Sequence, residues 1–319
     1  MPRNFLLNLL LISLSLSCTA LKSDDAPSPF TVIVLPDTQN YVKYDGAEKK
    51  FMAQIRWIKE NRDALNIKFA IHEGDITDNN SPEQWEKVKK CMEVLDGFVP
   101  YAVCVGNHDI GYKGPAKSPI CEYFKETDFQ NKPWWGGKMS GQNCFWYKFE
   151  SGKDKYVILS LDLGPSDQML EWADKIIEAN KDCKVIMVTH EYLNSEGGLS
   201  DKATKKNSTA YGRHDDGSIR NTGREVWEKH VKKHAGYFMV LCGHYEGPGS
   251  RNSMKGDNGN TIHQIMANYQ YTDGGGNGYL RIMKFDPANN KCHVQTYSPY
   301  LDKFWKDDVN DFTLDLDSN

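Results

Sequence analysis

Short apolar runs alternate with amphipathic segments in the first third of the chain. The apolar runs at 30–35, 67–71 and 101–105 predict buried strands. Between them, residues 47–64 carry apolar side chains at helical spacing, and a second helical segment follows Ser81. The order strand, helix, strand, helix, strand predicts a parallel sheet with right-handed crossovers.

The alternation resumes after an interruption at 110–143, a stretch rich in glycine, lysine and aromatic residues that predicts a long excursion from the core. Strands are predicted at 145–149, 156–161, 184–188, 237–241, 261–266, 278–285 and 292–297, and helices at 167–180 and 219–234. Because no linker-like stretch separates these elements, we expect one domain over residues 30–300, followed by a C-terminal tail at 301–319.

The N-terminus has a different composition. Arg3 precedes an almost wholly apolar run at 5–16, and small residues lead to Ala20. This pattern predicts a secretory signal peptide at 1–20 and a linker at 21–29, because the run is too short to span a membrane. Lipidation of Cys18 is the alternative. Either reading predicts export to the medium, the periplasm or the cell surface, without a transmembrane helix in the mature chain.

Charge and cysteine content narrow the functional classes. The formal net charge is −4, and no long basic block occurs, so a nucleic-acid-binding face is not expected. No CxxC pair is present among the eight cysteines, which argues against a structural zinc knuckle. In an exported protein, Cys121 and Cys144 are the expected disulfide pair, since they lie in the same loop-rich stretch.

Five predicted strands run directly into polar side chains. These side chains are Asp37, Asp75, Asn107, His190 and His244. The carboxyl ends of parallel strands meet at one edge of a sheet, so we expect the five side chains to lie close together. Carboxylate, amide and imidazole groups are all ligands of divalent metals. The sequence therefore predicts a metal site at this edge.

The order of these motifs resembles that of the calcineurin-like metallophosphoesterase superfamily, in particular exported members whose first motif reads Pro-Asp-Thr-Gln. The resemblance rests on Asp37-Thr38-Gln39, Gly74-Asp75, Gly106-Asn107-His108-Asp109, His190 and Gly243-His244. It implies a four-layer αββα sandwich, an α/β fold in which two mixed β-sheets pack face to face and helices cover both outer surfaces.

The resemblance also implies a site for two divalent metal ions, drawn from Mn²⁺, Fe²⁺, Zn²⁺ and Mg²⁺, and a catalytic pair. The first metal is expected on Asp37, Gln39 and Glu246, both metals on Asp75, and the second on Asn107, His190 and His244. His108 is expected to face the phosphoryl group, and Asp109 to orient or charge His108.

Two residues depart from the pattern of the superfamily, in which histidine stands at the positions of Gln39 and Glu246. Oxygen ligands at both positions would favour oxygen-preferring ions at the first metal. The expected function is hydrolysis of a phosphomonoester or phosphodiester substrate by in-line attack of a hydroxide that bridges two metals. The alternative is a non-catalytic binding protein whose first metal site has degraded.

Overall fold

The computed structural model describes residues 28–110 and 117–316. The predicted signal peptide, Cys18 and all but the last two residues of the predicted linker lie outside the described residues. Within the described ranges, no helix has both the length and the apolar character needed to cross a membrane.

The described residues form fourteen strands and seven α-helices. The strands are β1 (Phe30–Leu35), β2 (Ile67–His72), β3 (Tyr101–Ala102), β4 (Trp135–Lys138), β5 (Phe145–Ser151), β6 (Asp154–Ser160), β7 (Cys183–Val188), β8 (Tyr237–Cys242), β9 (Ser250–Lys255), β10 (Thr261–Met266), β11 (Leu280–Asp286), β12 (Lys291–Ser298), β13 (Lys303–Trp305) and β14 (Asp311–Asp315). The helices are α1 (Gln39–Lys43), α2 (Glu48–Glu60), α3 (Pro82–Met92), α4 (Ile120–Tyr123), α5 (Glu126–Phe129), α6 (Asp167–Ala179) and α7 (Gly223–Lys229).

The strands form two mixed sheets of seven strands each. The first sheet has the order β13-β12-β11-β1-β2-β3, with β14 also paired to β12, and the second has the order β4-β5-β6-β7-β8-β10-β9. The predicted parallel pairing of β1, β2 and β3 is present, and the pairs β6–β7, β7–β8 and β8–β10 of the second sheet are likewise parallel. The hairpin between β11 and β12 is antiparallel.

Alternating side chains of the second sheet show how the layers stack. Ile158 and Ile186 belong to the core shared with the first sheet and α2. Their strand neighbours Val157 and Val185 face the other way and join a second core with residues of α6 and α7. Because successive side chains of a strand point to opposite faces, the second sheet is buried on both sides. The predicted αββα sandwich is therefore confirmed.

Local sequence explains where two of the covering helices begin. The Ser81 hydroxyl accepts a hydrogen bond from the Gln84 N–H (3.4 Å), and Pro82 occupies the first position of α3. Thr222 caps α7 in a capping box with Glu225. The Ser81 cap is the one expected from the sequence.

The third predicted strand is shorter than its apolar run. β3 ends at Ala102, although residues 103–105 remain buried. β3 lies at the edge of its sheet, so it has one partner only, and the chain leaves the ladder early to enter the turn at Gly106. The apolar pattern predicted burial correctly but not hydrogen-bonded pairing.

The described residues of the predicted tail, 301–316, add two strands to the first sheet. β13 and β14 both pair antiparallel with β12, and Phe312 and Leu314 of β14 are buried against the core of the first sheet. Polar and apolar residues alternate in 311–315, and only two of the five are apolar. The sequence of this segment therefore resembles that of a surface segment.

The expected disulfide between Cys121 and Cys144 is absent, and both thiols are free. Cys144 is completely buried, and its sulfur accepts a hydrogen bond from the Asp162 N–H (3.5 Å). Cys121 instead contacts the Asn143 side-chain oxygen (3.6 Å). Proximity in a loop-rich stretch did not place the two side chains in bonding geometry.

We expect Leu314→Ala to lower the free energy of unfolding by about 2–4 kcal/mol, because it removes a buried side chain from the first sheet. Thr313→Ala, on the exposed face of the same strand, is the matched control and should change stability by less than about 0.5 kcal/mol. Urea unfolding followed by circular dichroism measures both values. Equal effects of the two substitutions would contradict the packing of β14.

Candidate metal centre

The predicted polar side chains meet where the carboxyl ends of both sheets' parallel strands come together. Asp37 follows β1, Asp75 follows β2, His190 follows β7 and His244 follows β8. All four are buried, with exposed fractions between 0% and 6%. The sandwich therefore assembles one cluster from residues separated by more than half of the chain.

Two glycines allow the backbone to approach this closely. A side chain at Gly106 would place its Cβ 2.1 Å from Asp75 Oδ1, and one at Gly243 would place it 2.2 Å from Asp37 Oδ1. Both distances are far inside van der Waals contact. Asp75 and His244 also have positive φ values of 49° and 79°, a conformation that is costly for residues with a side chain.

Four atoms that can bind a metal lie close together, and the central one is His190 Nε2. This nitrogen lies 3.2 Å from Asp75 Oδ2, 3.2 Å from Asn107 Oδ1 and 3.3 Å from His244 Nδ1. Ligand atoms that surround an ion tetrahedrally at about 2.0–2.1 Å lie about 3.3 Å from each other. The spacing of these atoms thus matches that of a metal site.

Each imidazole of His190 and His244 makes a hydrogen bond on the side that points away from the cluster. That bond determines the tautomer, and so which nitrogen presents a lone pair to the cluster. His190 Nδ1 donates to the Glu73 carbonyl (2.9 Å), and His244 Nε2 donates to the Lys206 carbonyl (2.8 Å), because a carbonyl oxygen only accepts. In their neutral forms the rings then present His190 Nε2 and His244 Nδ1 to each other as two acceptors. A proton or a metal ion must lie between them.

The electrostatics of the cluster favour one positive charge at this position. Burial disfavours the imidazolium of His190, but the charge and hydrogen bond of Asp75, the charge of Asp37 and the hydrogen bond to the Glu73 carbonyl together outweigh burial and raise the pKa of His190 to about 10. Burial, reinforced by the neighbouring His190, lowers the pKa of His244 to about 3, so that ring stays neutral. Burial likewise opposes ionisation of Asp75, yet the adjacent His190 holds its pKa well below the usual range.

A second group of oxygens surrounds Asp37. Gln270 Nε2 donates to Asp37 Oδ2 (3.0 Å), and Gln39 Nε2 donates both to Asp75 Oδ2 (3.2 Å) and to Gln270 Oε1. The Gln39 Oε1 atom is buried and has no hydrogen-bond partner among the described residues. A half-turn of the Gln39 amide exchanges its oxygen and nitrogen, which places an oxygen ligand beside Asp75.

The donor sets fit two divalent ions. His190, His244, Asn107 and Asp75 supply nitrogen and oxygen donors to one position. Asp37, Asp75 and the two glutamine side chains supply oxygen donors alone to the other. Burial, with a further contribution from the charge of Asp75, raises the pKa of Asp37, so a cation at the second group would relieve the cost of ionising it.

Gln270 was not predicted from the sequence. It follows β10, the neighbour of β8, and so obeys the same rule as the other ligands, a polar side chain just past the carboxyl end of a parallel strand. Asn268 holds the turn in place, since its Oδ1 accepts from the Gln270 N–H and its Nδ2 donates to the His244 carbonyl. The end of β10 carries no histidine or carboxylate, so its residue types did not indicate a metal ligand.

Glu246 does not join the cluster, contrary to the expectation that it binds the first metal. Its carboxylate pairs with Lys206 Nζ (3.5 Å), and 68% of its side chain is exposed. After His244 the chain leads away from the cluster, so the side chain of residue 246 points to solvent. Gln270 occupies the neighbourhood of Asp37 that Glu246 was expected to fill.

His108 lies beside the cluster and is partly open to solvent. Its Nδ1 donates to the Asp78 carbonyl (2.6 Å), and its Nε2 lies 4.0 Å from Asp75 Oδ2, with 22% of the side chain exposed. The backbone N–H of His108 also donates to Asp75 Oδ1 (2.9 Å). This arrangement aims Nε2 at the entrance of the centre.

Asp109 has a different role from the one expected. Its carboxylate accepts hydrogen bonds from the backbone N–H groups of Ile76 (3.1 Å), Thr77 (2.7 Å) and Gly106 (2.9 Å), and from the Thr77 hydroxyl (2.9 Å). It is completely buried. Asp109 therefore ties the turn after β2 to the turn after β3 and positions their ligands, while His108 is held by the Asp78 carbonyl.

Comparisons with known proteins agree with this arrangement. The profile of the family described as calcineurin-like phosphoesterase matches residues 30–272. YvnB of Bacillus subtilis (strain 168), an uncharacterised protein, is 32% identical in a 305-residue alignment that covers 92% of this chain and 22% of YvnB. The chain thus spans about a fifth of that relative's length.

Two solved structures share the fold at low identity. A purple acid phosphatase from yellow lupin (Lupinus luteus) seeds superposes with a TM-score of 0.55 and 14% identity, over 91% of this chain and 54% of the phosphatase. Plasmodium GAP50, described as the anchor in the inner membrane complex, superposes with a TM-score of 0.53 and 10% identity, over 91% of this chain and 90% of GAP50.

We expect Asp109→Ala to destabilise the metal-free protein by about 2–4 kcal/mol, because it leaves three buried backbone N–H groups without an acceptor. His108→Ala, one residue away and partly exposed, should change the free energy of unfolding by less than about 1 kcal/mol. Chemical unfolding in the presence of a chelator compares the two variants. A stable Asp109→Ala protein would rule out the positioning role.

Proposed function

The chain belongs to the calcineurin-like phosphoesterase family, and we propose that it hydrolyses phosphate esters with two divalent metal ions. The observation that carries this proposal is the 3.3 Å contact between His190 Nε2 and His244 Nδ1, two nitrogens that require a proton or a metal ion between them and that lie beside Asp75 and Asn107. Substrates are proposed to be phosphomonoesters or phosphodiesters. The chain covers only 22% of YvnB and 54% of the lupin phosphatase, so the support for this activity comes from the chain's own site.

The ions would be held by the two donor groups of the candidate centre. Asp75 belongs to both groups, which suits a carboxylate that bridges two ions. When bound, two such ions neutralise the phosphoryl oxygens and supply the hydroxide that attacks phosphorus in line. The oxygen donors of Asp37, Gln39 and Gln270 favour Mn²⁺ or Mg²⁺ at the first position, whereas His190 and His244 also accept Fe²⁺ or Zn²⁺ at the second.

His108 is proposed as the residue that handles the leaving group. Because its Nδ1–H is engaged with the Asp78 carbonyl, Nε2 is the nitrogen that meets the substrate. A proton held at Nε2 stabilises negative charge on the phosphoryl group or passes to the departing oxygen. The hydrogen bond at Nδ1 keeps the ring in the orientation that this transfer needs.

An open cleft beside His244 is the proposed binding region for the rest of the ester. It has a volume of about 540 Å³, and its rim includes Lys205, Lys206 and Tyr271. The cleft is continuous with the loop at 195–206, which carries no sequence motif. A phosphoryl group at the ions would leave its organic substituent in this cleft.

Export is part of the proposal and is supported by the sequence of residues 1–20 alone. The basic residue, the short apolar run and the small residues before Ala20 suit a cleaved signal peptide, with lipidation at Cys18 as the alternative. The enzyme would then act on esters outside the cytoplasm.

A binding protein without catalysis is the second candidate. The position of Glu246 favours it, because one of the expected ligands of the first metal points to solvent. One structural neighbour, GAP50, is described as an anchor. The two candidates differ in whether the first metal is held, which makes Gln39 and Gln270 the deciding residues.

Stripped protein reloaded with Mn²⁺ should hydrolyse an aryl phosphate monoester or diester. We expect His108→Ala to lower kcat by about 10²–10⁴-fold, because it removes a proton donor from the transition state. Asp75→Asn should abolish turnover. The control is His293→Ala on β12, which removes an imidazole paired with Asp311 of β14 and should retain full activity. Absence of turnover with every divalent metal would favour the binding protein.

The number of bound ions should report on Gln270 directly. We expect Gln270→Ala to reduce the Mn²⁺ content from two ions per chain to one, because Asp37, Asp75 and Gln39 hold the first position weakly without Gln270. Glu246→Gln should leave the content at two, since its side chain is exposed. Elemental analysis after equilibrium dialysis gives both numbers. Loss of an ion in Glu246→Gln but not in Gln270→Ala would reverse the assignment.

A further inference from the structure

A second cluster of metal-binding side chains lies on the outer layer of the sandwich. Asp174 of α6, His230 just after α7 and His234 before β8 place one ligand atom each within 4.8 Å of the others. His230 Nδ1 is 2.6 Å and His234 Nε2 is 2.7 Å from the same atom, Asp174 Oδ1. None of these residues contributes to the candidate metal centre.

The sequence builds this cluster with a simple spacing. His230 and His234 are four residues apart, and the intervening residues Val231–Lys233 form a turn of 3-10 helix. The two histidines flank this turn, and a nitrogen of each ring reaches the same oxygen of Asp174. Their centroids are 4.9 Å apart at an angle of 61°, so the rings converge by their edges on Asp174.

A buried hydroxyl orients the inner ring. His230 Nε2 lies 2.6 Å from the Tyr237 hydroxyl, and both residues are completely buried. Histidines that bind a metal commonly engage their second ring nitrogen with a hydrogen-bonding partner, which fixes the direction of the ligating nitrogen. Here the contact with Tyr237 leaves Nδ1 of His230 facing Asp174.

The opposite side of the cluster is open to water. The side chain of Asp174 is 45% exposed and that of His234 is 23% exposed, so an ion can enter and keep a water ligand. The carboxylate of Asp174 supplies negative charge to the cluster, and Lys233 supplies a nearby positive charge that acts on His230. The cluster is thus accessible to an ion, and Asp174 provides its charge complement.

We propose that Asp174, His230 and His234 form a separate site for a borderline divalent ion such as Zn²⁺. Two imidazoles, one carboxylate and a water complete the four-coordinate arrangement that this ion adopts. The ion would replace the hydrogen bonds of 2.6 Å and 2.7 Å at Asp174 Oδ1 and move these atoms to about 3.3 Å from each other. This site has two nitrogen ligands, whereas the first metal position, around Asp37, has oxygen ligands only. The two therefore differ in metal preference.

The location gives the ion a structural role. Tyr237 begins β8 and His244 follows its end, so six strand residues, roughly 20 Å, separate this site from the candidate metal centre. A bound ion would connect α6 to the segment between α7 and β8. It would therefore stabilise the helical layer over the second sheet without contacting the substrate.

The test counts Zn²⁺ bound to the full chain after chelator treatment and equilibrium dialysis. We expect His234→Ala and Asp174→Asn each to bind one Zn²⁺ fewer than the wild type and to lose part of the Zn²⁺-induced rise in Tm. His293→Ala, whose imidazole pairs with Asp311 on the other sheet, is the matched control and should bind as many ions as the wild type.

Two further measurements separate this site from the candidate metal centre and from misfolding. Asp75→Asn should lose ions independently, and its loss should add to that of His234→Ala in the double variant. Circular dichroism should show that metal-free His234→Ala remains folded. Equal Zn²⁺ content and equal Tm shifts in wild type, His234→Ala and Asp174→Asn would overturn the proposal and leave the cluster as a hydrogen-bonded network only.

Discussion

The contact between His190 Nε2 and His244 Nδ1 is the constraint on which the rest of the site depends. Each ring is held from behind by a backbone carbonyl, so both nitrogens turn a lone pair toward a point that only positive charge can occupy. The buried carboxylate of Asp75 sits against the same point. A proton or a metal ion must lie at this point, and the oxygens of Asp75 and Asn107 beside it favour the metal ion.

Holding these side chains together places demands on the backbone. Gly106 and Gly243 exist at positions where any Cβ would collide with Asp75 or Asp37. Asp109 gathers the N–H groups of two neighbouring turns and so fixes the backbone from which Asp75 and its neighbours project. The polar groups of the site are therefore supported by a layer of buried hydrogen bonds that takes no part in binding itself.

Strand-end motifs were the part of the site that sequence reasoning located well. One polar residue at a strand end is common, but five strand ends that carry metal-binding types are not, and parallel topology brings such ends together. The five residues are Asp37, Asp75, Asn107, His190 and His244. Their convergence follows from local patterns and one topological rule. Assigning roles to adjacent residues was less successful, because the direction of a side chain after a turn depends on backbone angles that no local pattern specifies.

Hydrophobic periodicity predicted most of the strands and helices, and the strand-end residues predicted the edge where the chemistry lies, because both patterns are local, whereas the αββα layers followed from the resemblance to the superfamily. Only the tertiary structure decided that Gln270 approaches Asp37 while Glu246 pairs with Lys206 at the surface. It also added β13 and β14 to the first sheet. These outcomes depend on contacts between segments far apart in the chain, and such contacts arise from packing rather than from local composition.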